Sequence, residues 1–243
     1  MTLVTAYDYP TRRLLDEAGV DIVLVGDSLG MVVLGFPDTT HVTLDHMLHH
    51  VEATARGVKN ALLVGDMPIH SYDTVEQAVQ SAKKLFLAGA DAVKLEGGAA
   101  QAGNIRAIVE AGIPVVGHIG LLPQKVLEEG GYKIKGKSSA EEEALVRDVE
   151  AVAEAGACAV VVEGVTPHAA RQVTVHSSIP TLGIGSGSHT CDGDVVVIHD
   201  LVGAFPWFIP AFVKPRADVA GSMTAAVKEW MEDCYTDPGS ISS

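Results

Sequence analysis

The 243-residue chain carries 31 acidic and 17 basic residues, a formal net charge of −14, and so lacks the basic footprint that nucleic-acid phosphates require. Mean hydropathy is positive at +0.25, yet no apolar run approaches the ~20 residues of a membrane span without meeting a charge or a glycine pair. The start, Met1–Arg13, has no basic region followed by a long apolar stretch, so no signal peptide is expected, and three scattered cysteines (Cys158, Cys191, Cys234) suit reduced thiols in a cytoplasmic protein.

In chain order, short β-branched runs alternate with helical patterns. Strands are predicted at Leu3–Ala6, Ile22–Val25, Ala61–Gly65, Ala92–Leu95, Pro114–Gly117, Ala159–Val162, Thr181–Ile184 and Val195–Ile198. Between them, Asp73-Thr74-Val75-Glu76 opens one helix. Ser139-Ala140-Glu141-Glu142 is a capping-box pattern opening a second over Glu141–Glu154, and Ala217–Tyr235 is the last helix. Gly19, Gly89, Gly112 and Gly156 each stand shortly before a strand, where a left-handed residue can end a helix and return the chain to the sheet. No linker or low-complexity tract divides the chain, so a single domain over 1–243 is expected, with 236–243 a disordered tail. Eight strands with intervening helices argue for a (β/α)8 TIM barrel in the α/β class, and an open doubly wound sheet is the alternative.

The position of the polar residues favours the barrel. Asp27, Asp66, Glu96, His118, Glu163 and Ser186 all fall at or just past a strand end. In a closed barrel those ends meet on one face, whereas in an open sheet they would be spread apart. Val25-Gly26-Asp27 and Val64-Gly65-Asp66 end alike, and the glycine is expected to give room beside each carboxylate. With Glu96 they form an all-oxygen acidic set without Cys or His clusters, which suits a hard cation such as Mg²⁺. An Asp at a strand end also has a simpler reading, as the cap of the next helix.

Lys94 and Glu96, two apart, share a face of their strand, and form either an internal ion pair or a cation for an anionic substrate. Glu163, across the mouth among apolar neighbours, is a candidate general base. His118 reads as a satisfied core histidine or an active-site group. His46-x-x-His49-His50 has helical metal spacing but lacks the glutamate of the zinc-protease motif, and Gly183-Ile-Gly-Ser-Gly187 is a weak phosphate-loop pattern.

These strings together resemble the ketopantoate hydroxymethyltransferase family. They are Val4–Asp8, Val25–Met31, Asp66–Pro68, Val93–Gly98, Gly117–Gln124, Gly130–Lys133, Val162-Glu163, Gly183–Gly185 and His199-Asp200. The resemblance implies a barrel of the phosphoenolpyruvate-binding type, a homodecamer, Mg²⁺, and 5,10-methylenetetrahydrofolate as co-substrate. It implies hydroxymethyl transfer to 3-methyl-2-oxobutanoate, giving 2-dehydropantoate in pantothenate and coenzyme A biosynthesis. By matching strings it implies that Asp27 and Asp66 bind the metal with Glu96 completing its environment. Ser28 and Lys94 would contact the oxo acid beside Asp27 and Asp66, Glu163 would be the proton acceptor, and His118 would lie at the site.

The chain departs from the family pattern in starting almost on its first strand, in Lys135 and Lys137 where Gln and Arg are usual, and in Ser186 where Ala is usual. Its last residues, 237–243, also lack the family's acidic-aromatic tail. The alternative is a Mg-dependent lyase or mutase of the same superfamily. The loop Leu121–Lys137, however, lacks the cysteine common in those lyases.

Overall fold

A computed structural model describes residues 1–57 and 59–236. Eight parallel strands close into a barrel in sequence order: β1 Thr2–Thr5, β2 Ile22–Val25, β3 Leu62–Asp66, β4 Ala92–Lys94, β5 Val115–Gly120, β6 Ala159–Glu163, β7 Thr181–Ile184 and β8 Gly193–Val196. Closure is made by β8 on β1, with Thr2 opposite Asp194 and Val4 opposite Val196. The helices are α1 Tyr9–Glu17, α2 Leu29–Val32, α3 Leu44–Ala55, α4 Val75–Leu87, α5 Ala102–Glu110, α6 Val126–Glu129, α7 Ser139–Glu154, α8 Pro167–His176, α9 Ile198–Leu201 and α10 Val219–Thr236.

Most element boundaries lie one to three residues from expectation, and two of the shifts have a plain local cause. The eighth strand ends at Val196, and Ile198 opens α9 instead of closing β8. The apolar run continues past the last paired residue, so composition alone cannot mark the stop. Helix α7 is capped by Ser138, whose side chain accepts from the Glu141 N–H. Ser138 and Ser139 each precede a glutamate by three residues, so the pattern fits both, and the extended backbone of Ser138 decides between them. Helix α4 opens within Asp73–Glu76 as expected, with Thr74 as its cap. Gly19, Gly89, Gly112 and Gly156 take φ of +82°, +111°, +85° and +96°, the left-handed returns their positions required.

The barrel interior is filled by Leu3, Leu24, Val64, Ala92, Val116, Ala159, Val161 and Leu182. Strand side chains alternate faces, so these residues set which later positions also point inward. Gly65 lies on the other face: a Cβ there would stand 3.3 Å from Val51 and 3.4 Å from Ala90. Its glycine therefore serves the approach of helix to sheet and does not make room beside Asp66. At Gly26 a Cβ would stand 3.0 Å from Ser28 Oγ and 3.5 Å from Leu24, so that glycine gives room to the Ser28 hydroxyl.

The opposite end of the barrel is held by a buried cation. Arg12 of α1 is 0% exposed and donates to the carbonyls of Ala61 and Leu62 at the start of β3. Asp16, one turn on, accepts from the N–H groups of Asn60 and Ala61 at 2.9 and 2.8 Å. Arg12→Ala removes a packed stem and leaves the Ala61 carbonyl without that donor. The expected cost is about 2–3 kcal/mol, read as a fall in Tm of about 4–12 °C with the active-site chemistry intact. An unchanged Tm contradicts this role.

The chain divides into two compact units, Met1–Val197 with all eight strands and a second beginning at Ile198. Within the second, Arg216 N–H donates to Leu201 O at 2.7 Å and Val219 N–H to Val202 O at 3.1 Å, so the connection between α9 and α10 folds back on itself. Thr236 closes α10, and the rest of the expected tail, 237–243, lies outside the described residues.

Candidate active site

The period of two that fills the barrel also builds the site. Two residues beyond inward-facing Val64, Ala92, Val116 and Val161 stand Asp66, Lys94, His118 and Glu163, which share their inward face one layer nearer the carboxyl ends of the strands. Glu96 follows two residues after Lys94, just past β4, where the Gly97 N–H bonds the His118 carbonyl at 2.8 Å. Asp27 stands two residues past β2, and its N–H donates to Asp66 Oδ2 at 3.2 Å. Five of the six residues, all but Glu163, are between 1% and 5% exposed.

Lys94 lies directly opposite Asp66 in the β3–β4 register and donates to both its carboxylate oxygens, at 2.6 and 2.7 Å. Of the two sequence readings, an internal ion pair is formed, but with Asp66 and not with Glu96. His118 stands between two carboxylates, with Nδ1 3.6 Å from Glu96 Oε1 and Nε2 3.3 Å from Glu163 Oε2. Neither ring nitrogen makes a hydrogen bond, and neither does Glu96 Oε1. The Glu163 side chain is the most open of the set at 21% exposure. Ser28 is half-buried, with its hydroxyl 2.8 Å from that of Tyr7.

Concentrated negative charge in a dry site shifts the ionisable groups. Burial, with Asp66 adding repulsion, pushes Asp27 up to about 7. Burial and then the charge of Asp27 raise Glu96 well above the ordinary carboxylate range. Burial alone would lower Lys94, but the neighbouring acids, Asp66 first, outweigh it and raise its pKa. His118 is lowered by burial and by Lys94, which favours the neutral imidazole. The site thus contains more acid than base, and ionisation of Asp27 and Glu96 is disfavoured, a condition that an added cation relieves.

The donor set fits a hard cation. It is all oxygen with no cysteine, and Glu96 Oε1 is buried without a hydrogen bond. Among the described residues, no group of three or more His, Cys, Asp or Glu side chains forms a ready-made metal cage. That is compatible with Mg²⁺, which keeps water and substrate oxygens beside one or two carboxylates.

Several sequence candidates serve the fold instead. His46 closes the capping box of α3 with Thr43, and His50 Nδ1 lies 2.7 Å from the Tyr7 carbonyl. Ser186, buried, donates to the Val162 carbonyl at 2.7 Å and tightens the turn after β7. Conversely, Gln124, which only ends the Gly117–Gln124 string, and Tyr72 were given no site role, yet both border the site. Only contacts 52 and 97 residues apart in sequence reveal them.

A family model described as ketopantoate hydroxymethyltransferase matches residues 1–238. The chain is 50% identical to the 3-methyl-2-oxobutanoate hydroxymethyltransferase of Ignicoccus hospitalis, over 96% of this chain and 88% of that protein. It is likewise 50% identical to the enzyme of that name from Moorella thermoacetica, over 96% and 87%. Among solved structures, phosphoenolpyruvate phosphomutase from Streptomyces platensis subsp. rosaceus aligns with a TM-score of 0.66 at 18% identity, over 98% of this chain and 83% of that one. A phosphonopyruvate hydrolase complexed with oxalate and Mg²⁺ aligns at 0.64 and 16%, over 98% and 83%. At such identities these two support the fold alone.

Proposed function

The chain belongs to the ketopantoate hydroxymethyltransferase family, and from that premise we propose that it transfers a hydroxymethyl group from 5,10-methylenetetrahydrofolate to 3-methyl-2-oxobutanoate, giving 2-dehydropantoate for pantothenate biosynthesis. The observation that carries the reading is the acidic, lysine-bearing site at the strand ends, with one partly open carboxylate, Glu163, on the far side from Asp27 and Asp66.

Asp27 and Asp66 would hold Mg²⁺, with Glu96 beside it. The ion, when bound, supplies positive charge that makes the hydrogen next to the keto group more acidic. Ser28 and Lys94 would orient the oxo acid, Lys94 by offering its ammonium to the substrate's negative charge. Glu163 takes the proton from C3. Neutral His118 faces Glu163 Oε2 through Nε2 and borders the same space. C3 then bonds to the methylene carbon carried by the folate, whose two bonds to folate nitrogens are replaced by the new C–C bond and by the hydroxyl from water. The two nitrogens take up the proton removed from C3 and one proton of the water, and tetrahydrofolate leaves. Exchange of the C3 hydrogen of 3-methyl-2-oxobutanoate in the presence of Mg²⁺ tests the reading. Its absence overturns it.

Asp27→Asn and Asp66→Asn should each weaken Mg²⁺ binding at least ~10-fold, because so few anionic ligands are present. Calorimetric titration with MgCl2 measures this. The same Mg²⁺ affinity in both variants as in wild type removes the assignment.

The assembly is proposed to be a homodecamer. In the second unit Trp207, Phe208, Phe212 and Trp230 are 81%, 55%, 56% and 65% exposed, and this many large exposed apolar side chains are what an interface with another subunit would cover. No described helix is long and apolar enough to cross a membrane. Light scattering at micromolar protein should give a multiple of the chain mass, and a monomer contradicts the proposal.

A further inference from the structure

Gln124, to which the sequence reading gave no site role, is held on four sides. It is 3% exposed and lies in a single 3-10 turn, Pro123–Lys125, on the loop that follows β5. Its backbone N–H donates to Glu96 Oε2 at 3.1 Å, and its Nε2 donates to Asp27 Oδ2 at 2.8 Å and to the Met67 carbonyl at 3.0 Å. Its Oε1 accepts from the Tyr72 hydroxyl at 2.5 Å. Asn104 in turn donates to the Tyr72 carbonyl at 2.7 Å.

The amide can sit in only one orientation. A carboxylate and a peptide carbonyl accept hydrogen bonds and cannot donate them. The end of Gln124 that faces Asp27 and Met67 must therefore be the NH2 group. Its oxygen then faces Tyr72, whose hydroxyl must donate. Every hydrogen and the oxygen of the amide are used, which is how a buried polar network becomes rigid instead of costly. Glutamate has no hydrogens to give Asp27 and Met67, and asparagine is one methylene too short to span the same partners. Through this one residue the loop after β5 grips a carboxylate past β2 and another past β4.

We propose that Gln124 is a positioning residue for the cation-binding carboxylates, oriented by Tyr72. It holds Asp27 with its amide and Glu96 with its backbone N–H, so that cation binding and ordering of the loop after β5 are coupled. The inference rests on the Mg²⁺ reading above. Partners of this kind typically change metal affinity ~10–100-fold when removed, and linkage requires the coupling to run in both directions.

The test is titration of the full chain with MgCl2 by calorimetry, in wild type, Gln124→Leu, Tyr72→Phe and the double variant. Amide hydrogen exchange over residues 122–129 is followed with and without Mg²⁺. Gln124→Leu should weaken Mg²⁺ binding ~10–100-fold. Tyr72→Phe should act in the same direction but less, and the double variant should be no weaker than Gln124→Leu, because Tyr72 acts through Gln124. Mg²⁺ should slow exchange over 122–129 in wild type and not in Gln124→Leu. Additive losses, or wild-type affinity in either single variant, overturn the proposal, and Tyr72→Phe keeps the test alive if Gln124→Leu does not fold. A wild-type chain that binds no Mg²⁺ overturns the metal reading as well, whereas normal wild-type binding with unaffected variants overturns the role of Gln124 alone.

Discussion

Glu163→Gln is expected to abolish most of the C3-hydrogen exchange of 3-methyl-2-oxobutanoate while leaving Mg²⁺ and the oxo acid bound. The substitution keeps the shape of the side chain at the end of β6 and removes its ability to accept a proton. A positioned base contributes ~10²–10⁴-fold, and the loss should fall in that range. The measurement is deuterium exchange at C3 followed by NMR without folate, which isolates proton removal from carbon transfer. Packing should be little disturbed, because Glu163 is the most open of the site carboxylates and its 3.3 Å approach to His118 involves no hydrogen bond. Exchange at the wild-type rate would move the base elsewhere, with His118 the first residue to examine.

Lys94→Ala should damage both binding and stability, and the two effects separate by experiment. Lys94 is 4% exposed and bonds both oxygens of Asp66, which is 1% exposed and lies within reach of the Asp27 backbone. Removing it leaves a buried carboxylate without its counter-ion, a change that costs about 3–5 kcal/mol, or a fall in Tm of about 6–20 °C for a chain of this size. Saturating Mg²⁺ should recover part of that loss, since a second cation can neutralise the same oxygens. In the folded variant with Mg²⁺ present, the KM for the oxo acid should rise ~30-fold or more, because an anion loses its buried charged partner. The KM for the folate should change little. A shift confined to the folate constant would assign Lys94 to the other substrate, and a Tm unaffected by Mg²⁺ would separate it from the cation site.

The barrel and most of the site were legible because both follow from short-range rules. Eight β-branched runs, each bounded by turn residues, mark buried parallel strands whatever surrounds them. Once a strand and its inward face are known, side-chain alternation places Asp66, Lys94, His118 and Glu163 at the carboxyl ends without knowledge of any contact. Which of these groups pair was not legible. Lys94 lies beside Glu96 in sequence but bonds Asp66, because the β3–β4 register sets those two Cα atoms opposite each other. The roles of Gly65, which admits Val51 of α3, and of Gln124, which joins Asp27, Met67, Tyr72 and Glu96, are likewise set by residues distant in the chain. Strand identity and facing depend on a residue and its near neighbours, so the sequence by itself determined them. Pairing, burial and the resulting shifts at Asp27 and Glu96 depend on distances between separate segments, which exist only once the barrel has closed.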